Sequence, residues 1–158
     1  MNTFPQDSMT DFRAMVLAAR EQRDYRKLVE LIPYARLLGI DFHEDGQGEL
    51  LFRLAFGRDN IGNPAMPALH GGAVGAFMEH AAIFELLWRM EASMLPRVVD
   101  FSIDYLRPGK PEDTYACCRV WRQGQRIANV AVETWQSDRE ASIATARGHF
   151  LLSEPQAV

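Results

Sequence analysis

One segment constrains this chain more than any other: His70 to Met90 reads HGGAVGAFMEHAAIFELLWRM. Its first four turns are apolar nearly all the way round, and a helix that is apolar on every side is enclosed by protein. About twenty residues could also cross a bilayer on length alone. Glu79, His80, Glu85 and Arg89 argue against that, and the segments that follow offer a sheet to wrap the helix. After Pro96 the pattern changes to period two, which predicts strands at 98–106, 114–121, 127–136 and 142–152. Arg107-Pro108-Gly109-Lys110-Pro111, Gly124 and Ser137-Asp138 punctuate these strands.

Ahead of the enclosed helix, Phe12, Met15, Val16 and Ala19, then Leu28, Leu31 and Ile32, recur at helical spacing. This predicts helix over 10–32 in two pieces, with Asp24 capping the second and Pro33 ending or bending it. Residues 38–42 read as a short strand, Asp45-Gly46-Gln47-Gly48 as a turn, and 49–56 as the returning strand of a hairpin. Residues 57–69 hold two glycines, two prolines and two asparagines, a long loop of the kind that often carries function. A hairpin, one enclosed helix and a run of antiparallel strands predict an α+β fold, a sheet curled around a single helix. The expected organisation is a helical extension over 1–33 lying on the surface, a sheet-and-helix domain over 34–152, and a tail over 153–158.

At 158 residues with 47% apolar content, the chain is sized for one domain with a real core. A formal charge of −4 gives no field that favours nucleic acid or an acidic membrane surface. The opening residues lack the basic and apolar regions of a secretory signal, and no apolar run is suited to crossing a membrane. Cys117 and Cys118 are neighbours, so on a strand they point to opposite faces and form neither a disulfide framework nor a metal-ligand spacing. A reducing, cytoplasmic setting is expected.

Glu79 is the first candidate for chemistry, because a carboxylate in an apolar helix needs a partner or a task. The bland alternative is an ion pair with a basic side chain from another strand or subunit. Gly71-Gly72 at the helix start would leave backbone N–H groups open to a ligand, with the positive end of the helix dipole behind them. Such donors can polarise a carbonyl and hold a developing oxyanion. Glu79 lies eight residues beyond Gly71, about 12 Å along the axis, so one helix cannot bring both groups to one carbonyl. Two helices running side by side in opposite directions can, which predicts a dimer.

His70 reads as a cap, a ligand to substrate or a packed histidine, and His80, about 100° around the helix from Glu79, as packing or interface. No G-x-S-x-G elbow, no phosphate-cradling loop and no metal-ligand spacing among His43, His70, His80 and His149 is present.

The run Ala68-Leu69-His70-Gly71-Gly72 with its acid at Glu79 resembles the PaaI-like acyl-CoA thioesterases of the hotdog superfamily. The stretch from Asp100 to Pro108 (DFSIDYLRP) is similar to that family's strand after the helix, and Ala144 to Leu152 (ATARGHFLL) to its last strand. The resemblance runs from about Tyr34 to Leu152. It implies a hotdog fold whose subunits pair into one continuous sheet, with active sites between subunits, and it allows a further pairing of dimers into a homotetramer. By the same resemblance the Gly71 N–H polarises a thioester carbonyl, and Glu79 of the partner subunit attacks it or activates water. His70 helps order the loop and the thioester. The family's loop asparagine or glutamine falls here on Pro64, with Asn63 beside it as the substitute, and its strand serine or threonine falls on Val98.

The implied reaction is hydrolysis of an acyl-CoA thioester, with no cofactor beyond the coenzyme A of the substrate. Gly72, Asn63 and Arg107 are expected to bind substrate. A tunnel lined by Phe77, Phe84, Leu87 and Trp88 would take an apolar acyl chain or an aromatic ring, although these residues read more readily as core or interface packing. Arg107, Arg119 and Arg122 are candidates for the coenzyme A phosphates. A non-catalytic acyl-CoA sensor is the alternative, since fold alone does not fix function. A hotdog dehydratase is disfavoured, because the paired Asp/His at the helix start is missing.

Overall fold

The structure, a computed structural model, describes residues 6–90, 94–124 and 126–152. The apolar run forms helix α4, Gly71–Arg89, with His70 as its N-cap. From Ile83 to Trp88 every residue is buried. A six-stranded antiparallel sheet wraps the helix, as the period-two pattern predicts. It is built from β1 (Ile40–Glu44), β2 (Leu50–Leu54), β5 (Arg97–Tyr105), β6 (Thr114–Gln123), β7 (Ile127–Trp135) and β8 (Ala144–Leu151). The spatial order is β1-β2-β6-β7-β8-β5, so β1 and β5 are the edges.

Alternation along the strands decides which side meets the helix. In β7, Ala128, Val130, Val132 and Thr134 are buried; in β8, Ala144, Ala146, Gly148 and Phe150 are. The small residues among them let α4 sit close to the sheet, where Phe77, Met78, Phe84 and Leu87 fill the interior. Each such large side chain contributes about 1.5–3 kcal/mol by leaving water. Cys117 and Cys118 point to opposite faces, opposite Glu133 and Val132 of β7.

The N-terminal part is three helices rather than two. These are α1 (Gln6–Glu21), α2 (Tyr25–Glu30) and α3 (Pro33–Leu38). Asp24 caps α2 by accepting the Lys27 N–H at 3.0 Å. Pro33 opens a new helix instead of only ending one, since its missing N–H is no loss in a first turn. Gly39 closes α3 in the left-handed region (φ 74°), so the strand starts at Ile40 and Leu38 stays helical. These helices do not merely lie on the surface. Val16, Ala19, Leu28, Val29, Ile32, Ala35 and Leu38 join the same core as α4. Tyr25 sits 4.5 Å from the Trp88 ring and 5.3 Å from Phe42, which stacks on Phe84 at 5.2 Å. The expected tail, 153–158, lies outside the described residues.

Within 57–69 the chain is more ordered than a plain loop. A 3-10 turn at Arg58–Asn60 precedes β3 (Ile61–Asn63), which pairs with β4 (Ala68–Leu69). This small ladder leads the chain directly into His70.

Candidate active site

Three glycines let His70 and Tyr105 close around the start of α4. At Gly62, an added Cβ would stand 2.9 Å from the His70 Cα, a backbone atom that cannot give way. At Gly72, it would meet the His70 ring at 2.9 Å. At Gly71, it would lie 3.2 Å from Tyr105 Cζ. Glycine is therefore required here for close approach. The His70 N–H donates to the Asn60 carbonyl at 2.7 Å, and Leu69 N–H to Gly109 at 2.9 Å, so the histidine is fixed from both sides.

The first-turn amides of a helix have no partner inside it, and their fate decides what the site can bind. The Gly72 N–H donates to His70 Nδ1 at 2.9 Å, so the Gly72 amide is committed to the cap. That bond leaves the proton of the neutral His70 ring on Nε2. Ala73 and Val74 donate to the His70 carbonyl at 2.9 and 3.1 Å. The Gly71 N–H has no partner among the described residues. It belongs to the same peptide group as the doubly bonded His70 carbonyl, and hydrogen bonds to a carbonyl strengthen the N–H of its own peptide as a donor.

Beside Gly71 is a cavity of about 370 Å³, lined in part by Val74, Tyr105, Arg107, Pro108 and Ile143. Arg107 is exposed and is held by the Ser142 carbonyl at 2.5 Å. It is thus the predicted arginine that shares a cavity with Gly71. Arg119 instead stacks on exposed Trp121, 4.9 Å from the ring centre, opposite Ala131 in the sheet. Asn63 uses Oδ1 to accept the Ala65 and Met66 N–H groups at 3.0 and 3.4 Å, holding the turn after β3. The proposed acyl-tunnel residues Phe77, Phe84, Leu87 and Trp88 are at most 9% exposed and belong to the core.

The two carboxylates of α4 have different surroundings. Glu79 is half-buried, and its carboxylate makes no hydrogen bond or ion pair among the described residues. Glu85 is the deeply buried acid, only 4% exposed, and accepts from Arg89 Nε at 2.6 Å. Arg89 also reaches the Gly48 carbonyl at 2.5 Å. Burial raises the Glu85 pKa above its ordinary value, against the lowering influence of Arg89. Glu85 thus forms an ion pair within α4, whereas Glu79 pairs with no basic side chain of another strand among the described residues. His80, 8% exposed, donates from Nδ1 to the Ala76 carbonyl at 2.7 Å and packs near Tyr34, which makes it a packing residue.

Gly72, Ala73, Ala76 and Glu79 are the half-buried or exposed residues of the N-terminal half of α4, together with Gly71. They lie on a strip at helical spacing. Tyr105, Gly62 and Gly75 escaped the sequence reading. Their signal was the Gly71/Gly75 pair, one turn apart, where a Cβ on Gly75 would meet Ile103 Cδ1 at 2.8 Å.

A larger depression, about 840 Å³, lies between the N-terminal helices and β1. Most of its charged groups are already paired, Asp41 with Arg53, Arg26 with Glu30, Arg23 with Glu44 and Asp24 with Lys27, while Arg36 makes no ion pair among the described residues. The smaller cavity at Gly71 has an open backbone donor in the Gly71 N–H. Among the described residues no three His, Cys, Asp or Glu side chains gather to hold a metal, and no helix is long and apolar enough to cross a membrane.

The thioesterase superfamily model matches residues 66–143, from just before His70 to the start of β8. A protein from Chromobacterium violaceum, known from its crystal structure, is 44% identical, with a TM-score of 0.73 over 87% of this chain and 96% of its own. Medium/long-chain acyl-CoA thioesterase YigI of Escherichia coli K12 is 29% identical over 136 residues, 77% of this chain and 86% of its own length. A Bacillus halodurans protein crystallised with CoA shares the fold at a TM-score of 0.69 and 18% identity, covering 99% of this chain and 98% of its own. The Escherichia coli PaaI protein does so at 0.67 and 18%, covering 92% of this chain and 99% of its own. The helix-wrapped sheet thus gives this chain the hotdog fold it shares with the PaaI protein, and over residues 66–143, the His70-Gly71-Gly72 turn included, it matches the thioesterase superfamily.

Proposed function

We propose that this protein hydrolyses acyl-CoA thioesters as a homodimer, each site combining Gly71 of one copy with Glu79 of the other. The observation that carries this reading is the pair of unpartnered groups on one helix, the Gly71 N–H and the Glu79 carboxylate. Eight residues separate them, about 12 Å of helix, too far for one carbonyl to meet both. A second α4 lying antiparallel along the open strip brings each Glu79 to the other copy's Gly71.

The sheet supports the same arrangement. Edge strand β5 is nine residues long and largely exposed, with Val98 and Val99 among its open apolar side chains. A long apolar edge left open invites pairing with another strand. Pairing two β5 edges about a two-fold axis would continue the sheet and set the two helices side by side.

In the proposed reaction the thioester carbonyl oxygen accepts the Gly71 N–H, backed by the positive end of α4. Glu79 takes the proton from an attacking water, or attacks the carbonyl itself. Where water attacks, the tetrahedral intermediate expels the coenzyme A thiolate, which takes the proton held by Glu79. Where Glu79 attacks, the thiolate leaves an acyl–Glu79 anhydride that a water then hydrolyses, its protons passing to the acid and the thiolate as the carboxylate is restored. His70 Nε2–H supplies a second donor near the carbonyl, and Arg107 meets phosphate at the mouth of the cavity. The curated relatives named medium/long-chain acyl-CoA thioesterase support an acyl-CoA substrate.

The test is thiol release from acetyl-, octanoyl-, palmitoyl- and phenylacetyl-CoA by the wild type and by Glu79→Gln. Turnover by the wild type that vanishes in the variant supports the reading. Binding of acyl-CoA without any thiol release would move it to a ligand sensor.

A further inference from the structure

We infer that Tyr105 is a positioning residue that holds Gly71 in the orientation in which its N–H meets the thioester; this rests on the thioesterase reading above. The difficulty it answers is physical. The donor sits on a glycine, the residue with the greatest backbone freedom, followed by a second glycine, at a helix end where fraying begins. A donor that moves with respect to the developing oxyanion forfeits much of its value, because such sites work by preorganisation.

Tyr105 supplies two constraints on that glycine. Its O–H donates to the Gly71 carbonyl at 2.6 Å. A carbonyl has two lone pairs, so this bond can coexist with the helix's own. Its ring also closes against Gly71 and Gly75: a Cβ on Gly71 would meet Tyr105 Cζ, Oη and Cε1 at 3.2–3.4 Å, and one on Gly75 would meet Tyr105 Oη at 3.4 Å. With the carbonyl bonded and the Cα covered, rotation about both backbone bonds of Gly71 is restricted.

The tyrosine is itself held. Its backbone is paired with Ala144 of β8, at the end of β5. Leu106 and Arg107, the next two residues, both donate to the Ile143 carbonyl, at 2.8 and 3.1 Å. The residue is 55% exposed and lines the cavity beside Gly71. A side chain needed only for packing would be expected to bury its ring. One at this place ties the helix start to the sheet edge and leaves room for substrate.

Tyr105→Phe keeps the ring and removes the O–H. Steady-state hydrolysis of the acyl-CoA panel should show kcat lowered about tenfold, the value of one hydrogen bond, with KM unchanged for every chain length. Backbone hydrogen exchange in the first turn of α4 should rise in Tyr105→Phe, and Glu79→Gln should leave it as in the wild type. Wild-type kcat in Tyr105→Phe, with Glu79→Gln inactive, overturns this inference and spares the thioesterase reading. A raised KM at unchanged kcat overturns it too, because it assigns Tyr105 to substrate binding. Full turnover by Glu79→Gln removes the reading on which both rest.

Discussion

The two halves of α4 have the same backbone and carry one carboxylate each, yet they are built to opposite ends. From His80 to Trp88 the helix is enclosed, and its acid, Glu85, is buried against Arg89. From Gly71 to Glu79 one strip stays open, and among the described residues its first amide has no partner and its acid stands alone. Burying an acid costs free energy that only a partner offsets. The protein meets that requirement where the acid is sealed in. Near the glycines it leaves the acid accessible and unpaired, which is the condition for a group that must meet substrate. The difference makes Glu79, the unpartnered carboxylate, the candidate for chemistry rather than the more deeply buried Glu85.

The largest expected effect is on turnover by the open acid. Glu79→Gln should lower kcat by about 10³-fold, within the range for a lost base or nucleophile, while stability changes by less than about 0.5 kcal/mol. Thiol release and thermal unfolding on the same preparation read both. Substantial unfolding in this variant would mean that Glu79 is structural after all.

Arg89→Ala reverses the pattern. It leaves Glu85 buried without its partner and should destabilise the fold by about 3 kcal/mol, measured by urea unfolding, with kcat little changed. The sign of its pH dependence follows from the raised Glu85 pKa. The protonated acid is the better tolerated form inside the fold, so its contribution is fully present below the unfolded pKa, 4.5, and is lost as pH rises through the higher folded value. Without Arg89 that loss should grow.

Gly71→Ala adds a Cβ 3.2 Å from Tyr105 Cζ and should lower kcat by about 10²-fold through displacement of the amide donor. The smallest effect is Glu85→Gln. It removes the buried charge and leaves Arg89, whose side chain is 39% exposed, in partial contact with water. Stability near neutral pH should shift by no more than about 1 kcal/mol, and the decline from pH 4.5 upward should flatten.

Much of this was legible in the residues because burial leaves periodic marks. The apolar run announced α4, and the alternation of 127–136 and 142–152 announced two strands around it. The N-terminal part was less readable for a local reason. Pro33 and Gly39 act as a start and a stop for a six-residue helix too short to display a period, so Leu38 looked like the first residue of a strand. The β3–β4 ladder was hidden in the same way, being only three and two residues long. The candidate site was partly legible: Gly71 and Arg107 line one cavity and His70 caps the helix beside it, whereas Asn63 holds its own turn. The Glu85–Arg89 spacing of four is itself a readable ion-pair mark, whereas the lack of a partner for Glu79 among the described residues depends on what the fold brings near it and leaves no mark in the sequence. Tyr105 was hidden because its partner is a backbone carbonyl, which every residue possesses.

The most direct test of the shared site is subunit mixing. Glu79→Gln and Gly71→Ala chains are each purified, dissociated, combined in equal amounts and reassembled. If Gly71 and Glu79 act across the dimer, each mixed dimer holds one intact site and one site with both lesions. Random assortment then restores about a quarter of wild-type thiol release from two nearly inactive parents. Activity no higher than that of the parents, with mixed dimers shown to have formed, would contradict a site built from two copies.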